Sequence, residues 1–318
     1  MPFEPPAVDP RPVDPAALKT FLDALVEDIH AQADWGEVAS YIPELADVDP
    51  AQFAISIALA DGTMVSAGAH SKRFSIQSIS KVFTLACVLG RVGEQIWTRV
   101  GREPSGTRFD SILLLEQEHG RPRNPFINAG ALVTTDALLE HRAPKDALSE
   151  VIGFLCAAAE DDDIHIDRDV ALSEERTGFR NIALANYLKS YGNMRNDPAL
   201  TLGTYFHQCA IEMTTDQLAR AGRAIAQLPD APQVMIRAKA RRLNALMMTC
   251  GHYDGSGDFA FRVGLPGKSG VGGGILVIAP GRASIAIWSP GLNAYGNSKV
   301  GTYAAERLIR FTGWSVFG

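Results

Sequence analysis

Segments with the alternating pattern of β-strands lie near both ends of the chain, and this placement limits the possible folds more than any other feature. Near the start, the apolar residues of segment 53–59 occupy alternate positions up to a turn at 61–62, which predicts a hairpin with the short extended segment that follows. Near the end, an apolar run at 275–278, a turn at 280–281 and an alternating run at 283–288 predict two further strands. Strands from both ends therefore have to meet in one sheet.

The long stretch between these strands has the three-and-four spacing of apolar residues that is typical of helices. An amphipathic helix is also predicted to begin after Asp14 and Pro15, which are common residues at a helix start, and a closing helix is predicted over 298–311. The central helices are predicted at 129–141, 145–159, 215–228 and 233–248.

This distribution predicts an α+β fold in which a sheet built from both chain ends carries an inserted all-helical domain. Residues 16–77 and 251–318 form the sheet domain in this prediction, and residues 78–250 form the helical domain. Residues 1–15 are rich in proline and are predicted to be an extended arm.

Composition and charge argue against several classes of function. The 318 residues have a formal charge of -6 and no long run of Lys and Arg, so nucleic acid is not expected as a partner. No apolar run is long enough to span a membrane, and the first residues lack the pattern of a secretory signal, so we expect a cytoplasmic protein. The four cysteines are widely spaced and predict buried, reduced thiols, and the histidines form no ligand pair, so no metal or other cofactor is expected.

A serine and a lysine three residues apart, Ser78 and Lys81, lie where a helix is predicted to begin. This spacing puts both side chains on one face of a helix. A serine hydroxyl becomes a nucleophile when a base takes its proton, and a lysine with a lowered pKa can be that base. Backbone N–H groups at the helix start also favour an oxyanion. Taken alone, the motif is equally compatible with a helix-capping serine and a surface lysine.

A second motif, Lys-Ser-Gly at 268–270, opens a glycine-rich segment directly before the apolar strand. Glycines there would offer bare backbone to a substrate, and Lys268 would help to lower the pKa of Lys81. One backbone N–H of this segment can complete an oxyanion hole with that of Ser78. The alternatives are a flexible entry to the strand and a phosphate-binding loop. The latter is excluded because Arg262 stands where that pattern requires glycine.

The two motifs together resemble the serine β-lactamase and penicillin-binding protein superfamily. The surrounding sequence resembles the bacterial glutaminase family in particular, which implies a serine β-lactamase-like fold with an antiparallel sheet flanked by helices. The matching stretches are YIPELA at 41–46, FSIQSISKVF at 74–83, NPFINAGA at 124–131, SEERTGFRNIALA at 173–185, GTYFHQC at 203–209 and CGHYDGSGDFAFRVGLPGKSGVGGGI at 250–275.

This resemblance implies hydrolysis of L-glutamine to L-glutamate and ammonia through an acyl-enzyme on Ser78, without a cofactor, by a homo-oligomer (dimer or tetramer). The proton is handled by Lys81 directly or by Tyr253 poised by Lys81, and Tyr41 is a further candidate for protonating the leaving ammonia. Glu174 can pair with the α-ammonium of glutamine, while amide and hydroxyl groups donate to its α-carboxylate. The implied substrate-binding residues are Ser78, Asn128, Glu174, Asn181, Tyr205, Tyr253 and Val271, the last through its backbone in the oxyanion hole.

Two other functions fit the same motifs. A β-lactamase, carboxypeptidase or esterase of the superfamily would use the same serine and lysine on a bulkier substrate. A binding or scaffold protein would keep the fold without catalysis, and in that case Asn128 would be only a helix N-cap and Glu174 a solvated carboxylate. The presence of Ser78, Lys81 and Glu174 together favours an enzyme.

Overall fold

The computed structural model describes residues 13–31, 34–140 and 142–318. Most of the predicted N-terminal arm, residues 1–15, lies outside these ranges. Pro15, which that arm was predicted to include, already belongs to the first helix. Asp14 caps this helix, since its carboxylate accepts hydrogen bonds from the backbone N–H groups of Ala16 and Ala17. The predicted start of the helix is therefore confirmed.

The described residues form eight strands and thirteen α-helices. The strands are β1 (Ala54–Leu59), β2 (Met64–Gly68), β3 (Phe74–Ser75), β4 (His165–Ile166), β5 (Ile211–Met213), β6 (Gly267–Ser269), β7 (Gly274–Ala279) and β8 (Ala283–Trp288). The α-helices are α1 (Pro15–His30), α2 (Pro43–Ala46), α3 (Ser80–Arg91), α4 (Ile112–Gln117), α5 (Asn128–Leu139), α6 (Pro144–Ala159), α7 (Arg168–Thr177), α8 (Phe179–Ser190), α9 (Pro198–Cys209), α10 (Thr215–Ala226), α11 (Arg237–Cys250), α12 (Ser256–Val263) and α13 (Lys299–Thr312). Short 3-10 turns lie at Gln77–Ile79, Gly93–Thr98 and Tyr253–Gly255. None of these helices has the length and apolar character of a membrane span.

Strands from the two ends of the chain meet in a five-stranded antiparallel sheet of order β2-β1-β8-β7-β6. The first strand lies directly beside the last, with Ile55 opposite Ile287 and Ile57 opposite Ile285. Every residue of β1, β7 and β8 is buried, so helices cover both faces at the centre of the sheet. The predicted α+β arrangement is confirmed.

The two faces of this sheet pack against different helices. On one face, Ile55 packs in a hydrophobic core with residues of α1 and α13, among them Leu308 of α13. On the other face, Ala286 belongs to a core that continues into the central helices, and α10 packs directly on the strands. Small residues allow this close approach, because a Cβ atom on Gly222 of α10 would lie 2.1 Å from the Ser284 hydroxyl of β8.

The central helices pack around α3 and α5, and every residue of α5 is buried. Two predicted helix ends were wrong. The helix predicted at 233–248 begins at Arg237, because Ile236 before it has an extended backbone. The helix predicted at 215–228 ends at Ala226, because Gln227 adopts the left-handed conformation that commonly terminates helices.

A second sheet of order β3-β5-β4 was not predicted. Its strands have two or three residues, which are too few to show an alternating pattern. The sheet is relevant to the site because β3 leads directly into the Ser78 turn. The hydroxyl of Ser75 in β3 donates a hydrogen bond to the carbonyl oxygen of Cys209 at 2.9 Å. The predicted division into a sheet domain and a helical domain stays a prediction.

Candidate active site

Ser78 lies on the 3-10 turn that joins β3 to α3, and Lys81 lies in the first turn of α3. The preceding residue, Gln77, has a φ of 47°, a left-handed conformation that is uncommon for residues other than glycine. Such a conformation persists where the surroundings hold it. Gln77 is buried, and its Nε2 donates to the hydroxyl of Ser75 at 2.9 Å. Ser78 is therefore presented from a turn with a fixed shape.

A cavity of about 310 Å³ at Ser78 gathers most of the residues predicted for the site. Two others, Lys81 and Tyr253, are buried and do not line this cavity, although Tyr253 lines the cavity beside it. The predicted residues on the wall come from separate parts of the chain and are Tyr41, Ser78, Asn128, Glu174, Asn181, Tyr205 and Val271.

Lys81 is enclosed by protein atoms next to Ser78. Its Nζ donates to Asn128 Oδ1 at 2.7 Å and to the carbonyl oxygen of Phe126 at 3.3 Å. Burial lowers the pKa of Lys81 to about 8, against the smaller opposing effects of Cys209 and Glu174. A lysine with this pKa is partly neutral near neutral pH and is able to accept a proton.

Asn128 begins α5 and connects Lys81 to the substrate side of the cavity. Ile127 occupies the N-cap position, so the interpretation of Asn128 as a helix cap was wrong. Asn128 Oδ1 accepts hydrogen bonds from Lys81 and from the Tyr205 hydroxyl, the latter at 3.3 Å. Its Nδ2 donates to Asn181 Oδ1 at 2.9 Å. Four of the predicted residues thus form one hydrogen-bonded chain.

Glu174 places a buried carboxylate on the cavity wall. Its Oε1 has no hydrogen-bond partner among the described residues. Burial raises the pKa of Glu174 to about 7, although a hydrogen bond from Gln77 and the charge of Lys81 act in the opposite direction. A buried carboxylate with a free oxygen is unfavourable without a partner and suits a ligand that carries a positive charge.

Lys268 is buried on the edge strand β6. Its Nζ donates to the carbonyl oxygens of Ser269, at 2.6 Å, and Gly251, at 3.1 Å. We predicted that Lys268 would help to lower the pKa of Lys81. Burial is the largest cause of that lowered pKa, and the contribution of Lys268 stays a prediction. Burial and the neighbouring charge of Lys81 hold the pKa of Lys268 well below its usual value.

The ring of Tyr253 packs against Lys268. The Lys268 Nζ is 4.4 Å from the centroid of the Tyr253 ring, and the Tyr253 hydroxyl donates to the carbonyl oxygen of Ser269 at 3.5 Å. Burial raises the pKa of Tyr253 above its usual range, although a hydrogen bond with Ser78 acts in the opposite direction. The phenol therefore keeps its proton at neutral pH. Its backbone φ of 56° is again in the left-handed region.

The glycine-rich segment after β6 forms a close-packed turn at 270–273 that contacts the Ser78 turn. A Cβ atom on Gly270 would lie 2.6 Å from the carbonyl oxygen of Ile76 and 3.3 Å from the backbone nitrogen of Ser78. Only glycine permits this approach. The turn brings Val271 onto the cavity wall beside Ser78, so a packed connection replaces the flexible entry that we considered.

Tyr41 is the least enclosed of the predicted site residues, since 54% of its surface is exposed. It lies just before α2 and lines both the Ser78 cavity and a neighbouring cavity of about 930 Å³. The structure brings Tyr41 to the site but holds it less firmly than Tyr253.

Several other residues on the cavity wall were missed, because they come from turns and helix faces that only the fold brings together. Adjacency to a motif residue was the one available signal, as for Gln77 beside Ser78. The missed residues are Ile42, Gln77, Arg108, Phe109, Asp110, Thr177, Gly178, Arg180 and Cys209. We predicted Cys209 only as a buried thiol, and burial raises its pKa, so the thiol keeps its proton.

The cysteines were predicted to be buried, reduced thiols. All four cysteines are free thiols, and Cys156 is partly exposed whereas Cys87, Cys209 and Cys250 are buried. Within residues 13–31, 34–140 and 142–318, no group of three or more His, Cys, Asp or Glu side chains could hold a metal ion.

Known proteins resemble this chain over nearly its whole length. A family model described as Glutaminase matches residues 36–317. A glutaminase of Agrobacterium fabrum is 56% identical over 305 residues, which cover 95% of this chain and 99% of that protein. A glutaminase of Rhodopseudomonas palustris is 58% identical over 298 residues, which cover 92% of this chain and 96% of that protein.

Solved structures of similar proteins have the same fold. The structure of the probable glutaminase ybaS matches with a TM-score of 0.91 at 35% identity and covers 96% of this chain and 99% of its own. A probable glutaminase of Bacillus subtilis matches with a TM-score of 0.87 at 33% identity and covers 95% of this chain and 98% of its own. The predicted β-lactamase-like fold is confirmed, and the match in both sequence and structure shows that the chain belongs to the glutaminase family.

Proposed function

We propose that this chain hydrolyses L-glutamine to L-glutamate and ammonia through a glutamyl ester of Ser78. The observation that carries the proposal is the position of Lys81, which is buried one helical turn from Ser78 and has a pKa of about 8. A surface lysine would stay fully charged at neutral pH and would not accept the serine proton. Membership of the glutaminase family supports glutamine as the substrate.

In the first step, the Ser78 oxygen attacks the side-chain amide carbon of glutamine. The serine proton passes to the neutral form of Lys81, directly or through the Tyr253 hydroxyl, and the carbonyl oxygen becomes an oxyanion. Collapse of this tetrahedral intermediate breaks the carbon–nitrogen bond, and the nitrogen takes up a proton and leaves as ammonia. Water then attacks the ester carbon, which releases glutamate and restores the Ser78 hydroxyl.

We assign Tyr253, and not Tyr41, to this proton path. Tyr253 is buried, and burial raises the pKa of its hydroxyl, so the phenol keeps its own proton and can pass one proton on while it receives another from Ser78. The greater exposure of Tyr41 makes it the secondary candidate for protonating the leaving ammonia.

The oxyanion is proposed to be held by the backbone N–H groups of Ser78 and Val271. The packing of Gly270 against the Ser78 turn supports this assignment, because it brings the two backbone segments together. Within the described part of the chain, the Val271 N–H makes no backbone hydrogen bond and is available to a ligand. Donors fixed in place before the reaction stabilise the developing charge without reorganising.

The charged ends of glutamine are proposed to bind to other polar residues of the cavity wall. The free Oε1 of Glu174 would accept a hydrogen bond from the α-ammonium group. Asn181 and Asn128 would donate to the α-carboxylate through their Nδ2 groups, while Tyr205, whose hydroxyl donates to Asn128 Oδ1, helps to hold the Asn128 carboxamide in place. Pairing of both charged ends would favour a free amino acid over a peptide or a β-lactam.

A homo-oligomer, either a dimer or a tetramer, and a cytoplasmic location complete the proposal. Both rest on the family resemblance and the sequence pattern alone. Light scattering during size-exclusion chromatography of the full chain tests the assembly, and a monomer across the accessible concentration range would contradict it.

The nucleophile is tested with Ser78→Ala and a matched control, Ser80→Ala. Ser80 is buried two residues further along the same segment but does not line the cavity. We expect Ser78→Ala to abolish ammonia release from glutamine, whereas Ser80→Ala should keep measurable activity, with both proteins folded by circular dichroism.

Covalent labelling completes this test. A reactive glutamine analogue should add one glutamyl-type group to Ser78 in the unmodified protein and none in Ser78→Ala, as read by peptide mass spectrometry. Ammonia release by Ser78→Ala at the wild-type rate, or labelling at another residue, would refute the proposed nucleophile. A parallel assay with a β-lactam checks the alternative function.

A further inference from the structure

The side chain of Asn297 bridges two segments that carry the proposed proton path. Its Oδ1 accepts a hydrogen bond from the Ser269 hydroxyl at 2.5 Å, and its Nδ2 donates to the carbonyl oxygen of His252 at 3.1 Å. Asn297 is only 3% exposed, so both bonds are shielded from water. Its backbone N–H is held separately by Asn293 Oδ1 at 3.2 Å. The bridge is therefore made by the carboxamide alone.

The bond to His252 acts directly on the conformation of Tyr253. The His252 carbonyl belongs to the peptide group before Tyr253. The φ angle of Tyr253 describes how that peptide group is rotated about the N–Cα bond of Tyr253. This angle is 56°, which is unfavourable for tyrosine. An unfavourable backbone conformation persists where neighbouring groups hold it, and Asn297 Nδ2 holds this carbonyl.

The bond to Ser269 fixes the other side of the same arrangement. The carbonyl oxygen of Ser269 accepts hydrogen bonds from the Tyr253 hydroxyl, at 3.5 Å, and from Lys268 Nζ, at 2.6 Å. Any displacement of Ser269 relative to Tyr253 would change both distances. Gly255 leaves room for the bridge, because a Cβ atom there would lie 3.0 Å from Asn297 Nδ2.

We propose that Asn297 is a positioning residue for proton transfer, which fixes the position of the Tyr253 hydroxyl by tying the peptide before Tyr253 to the strand that carries Lys268. The inference rests on the proposed role of Tyr253 in glutamine hydrolysis. Asn297 does not line the cavity in which glutamine would bind. Its loss should therefore slow the chemical step and leave substrate affinity nearly unchanged.

The test compares Asn297→Ala with Asn293→Ala in steady-state ammonia release from glutamine. Asn297→Ala should lower kcat by about 10- to 100-fold, the effect of misplacing a reacting group by a fraction of an ångström to one ångström, with little change in KM. Asn293→Ala removes the side chain that caps the same turn but leaves the carboxamide bridge, and it should keep a kcat close to wild type. An equal loss of kcat in both variants, or a rise in KM alone, would overturn the inference.

A second measurement asks whether Asn297 acts through Tyr253. In a Tyr253→Phe background, Asn297→Ala should cause little further loss of kcat, because the group that it positions is already gone. Additive losses would overturn the inference. If Asn297→Ala does not fold, Ser269→Ala removes the other end of the bridge, and an unchanged kcat in that variant would be equally decisive against it.

The two proposals fail in different ways. Activity in Ser78→Ala would refute the proposed function. An inactive Ser78→Ala together with a fully active Asn297→Ala would refute only the positioning role of Asn297.

Discussion

Burial decides what the two charged residues beside Ser78 can do. It raises the pKa of Glu174 to about 7 and lowers that of Lys81 to about 8, so both groups are close to half ionised within the same pH range. Both groups have to be deprotonated for their roles, because Glu174 has to be ionised to bind an ammonium group and Lys81 has to be neutral to accept a proton. Both states become more populated as the pH rises. The site is therefore built to gain activity between slightly acidic and slightly alkaline pH.

We predict that kcat/KM for glutamine rises with pH through the pKa of Glu174, about 7, and that of Lys81, about 8. Glu174→Gln keeps the shape of the side chain but removes its charge. It should weaken binding of the α-ammonium group by about 2 to 5 kcal/mol, with most of the loss in KM. The matched control is Glu175→Gln, at the exposed neighbouring position.

Initial rates of ammonia release across this pH range test the prediction. In Glu174→Gln the lower of the two inflections should disappear, while Glu175→Gln should follow the wild-type profile. A Glu174→Gln variant with an unchanged KM and an unchanged pH profile would show that another group binds the ammonium.

Sequence reasoning reached individual residues where a motif contained them. Ser78, Lys81 and Glu174 stand in stretches that resemble the glutaminase family, and the fold brings all three together. The sequence could not decide whether burial or the charge of Lys268 contributes most to the lowered pKa of Lys81, because the depth at which a lysine is buried cannot be read from a sequence. Asn297 was missed because its side-chain partners lie 28 and 45 positions away.

At the scale of elements, the close packing of α10 on the sheet is the feature most sensitive to substitution. A Cβ atom on Gly222 would lie 2.1 Å from the Ser284 hydroxyl and 2.9 Å from a methyl group of Leu276. Gly153, in α6, has no neighbouring atom within 4 Å of the same position. A larger side chain would therefore clash with the sheet at Gly222, whereas at Gly153 it would meet no neighbouring atom.

We predict that Gly222→Ala destabilises the protein by about 1 to 3 kcal/mol, the range for overpacking a well-filled interior. Gly153→Ala should instead stabilise it by about 0.5 to 1 kcal/mol, because alanine loses less conformational freedom in a helix. Urea unfolding followed by circular dichroism measures both free energies. Shifts of the same sign in the two variants would contradict this account of the packing.

The elements that could be predicted from the sequence are those whose burial follows a simple period. The apolar run of β7 and the alternation in β1 located the sheet, and the topology follows because strands at both ends have to pair. Burial on all sides removes the period in α5, so the sequence located this helix without indicating which face meets the site. The two- and three-residue strands β3, β4 and β5 are below the length at which any period is visible.

At the scale of the whole molecule, Asp216 connects the central helices to the sheet. Its Oδ1 accepts hydrogen bonds from Ser56 of β1, at 2.6 Å, and from Ser66 of β2, at 2.5 Å. Its Oδ2 lies 2.7 Å from His70 Nδ1. Asp216 also lies in the first turn of α10, where the helix dipole favours a negative charge. One carboxylate thus holds α10 against two strands.

The pH dependence of unfolding should report this connection. Burial alone would raise the pKa of Asp216, but hydrogen bonds from Ser56, Ser66 and His70 hold it below the usual value of 3.8. In the range between the lowered and the usual pKa, the unfolded chain binds more protons than the folded one. The stabilisation is therefore complete above the usual pKa and is lost as the pH falls towards the folded-state value.

We predict that Asp216→Asn lowers the free energy of unfolding near neutral pH by about 1.5 to 3 kcal/mol, as expected for hydrogen bonds to a charged group. The variant should also lose less stability than the wild type when the pH falls below about 4, because it has no carboxylate to protonate. Asp47→Asn, at an exposed position, is the control and should keep the wild-type pH dependence. Urea unfolding near neutral pH and at acidic pH gives the difference in unfolding free energy between each variant and the wild type at both pH values. If Asp216→Asn loses as much stability on acidification as the wild type, other carboxylates set the acid sensitivity, and the connection between α10 and the sheet is held by apolar packing.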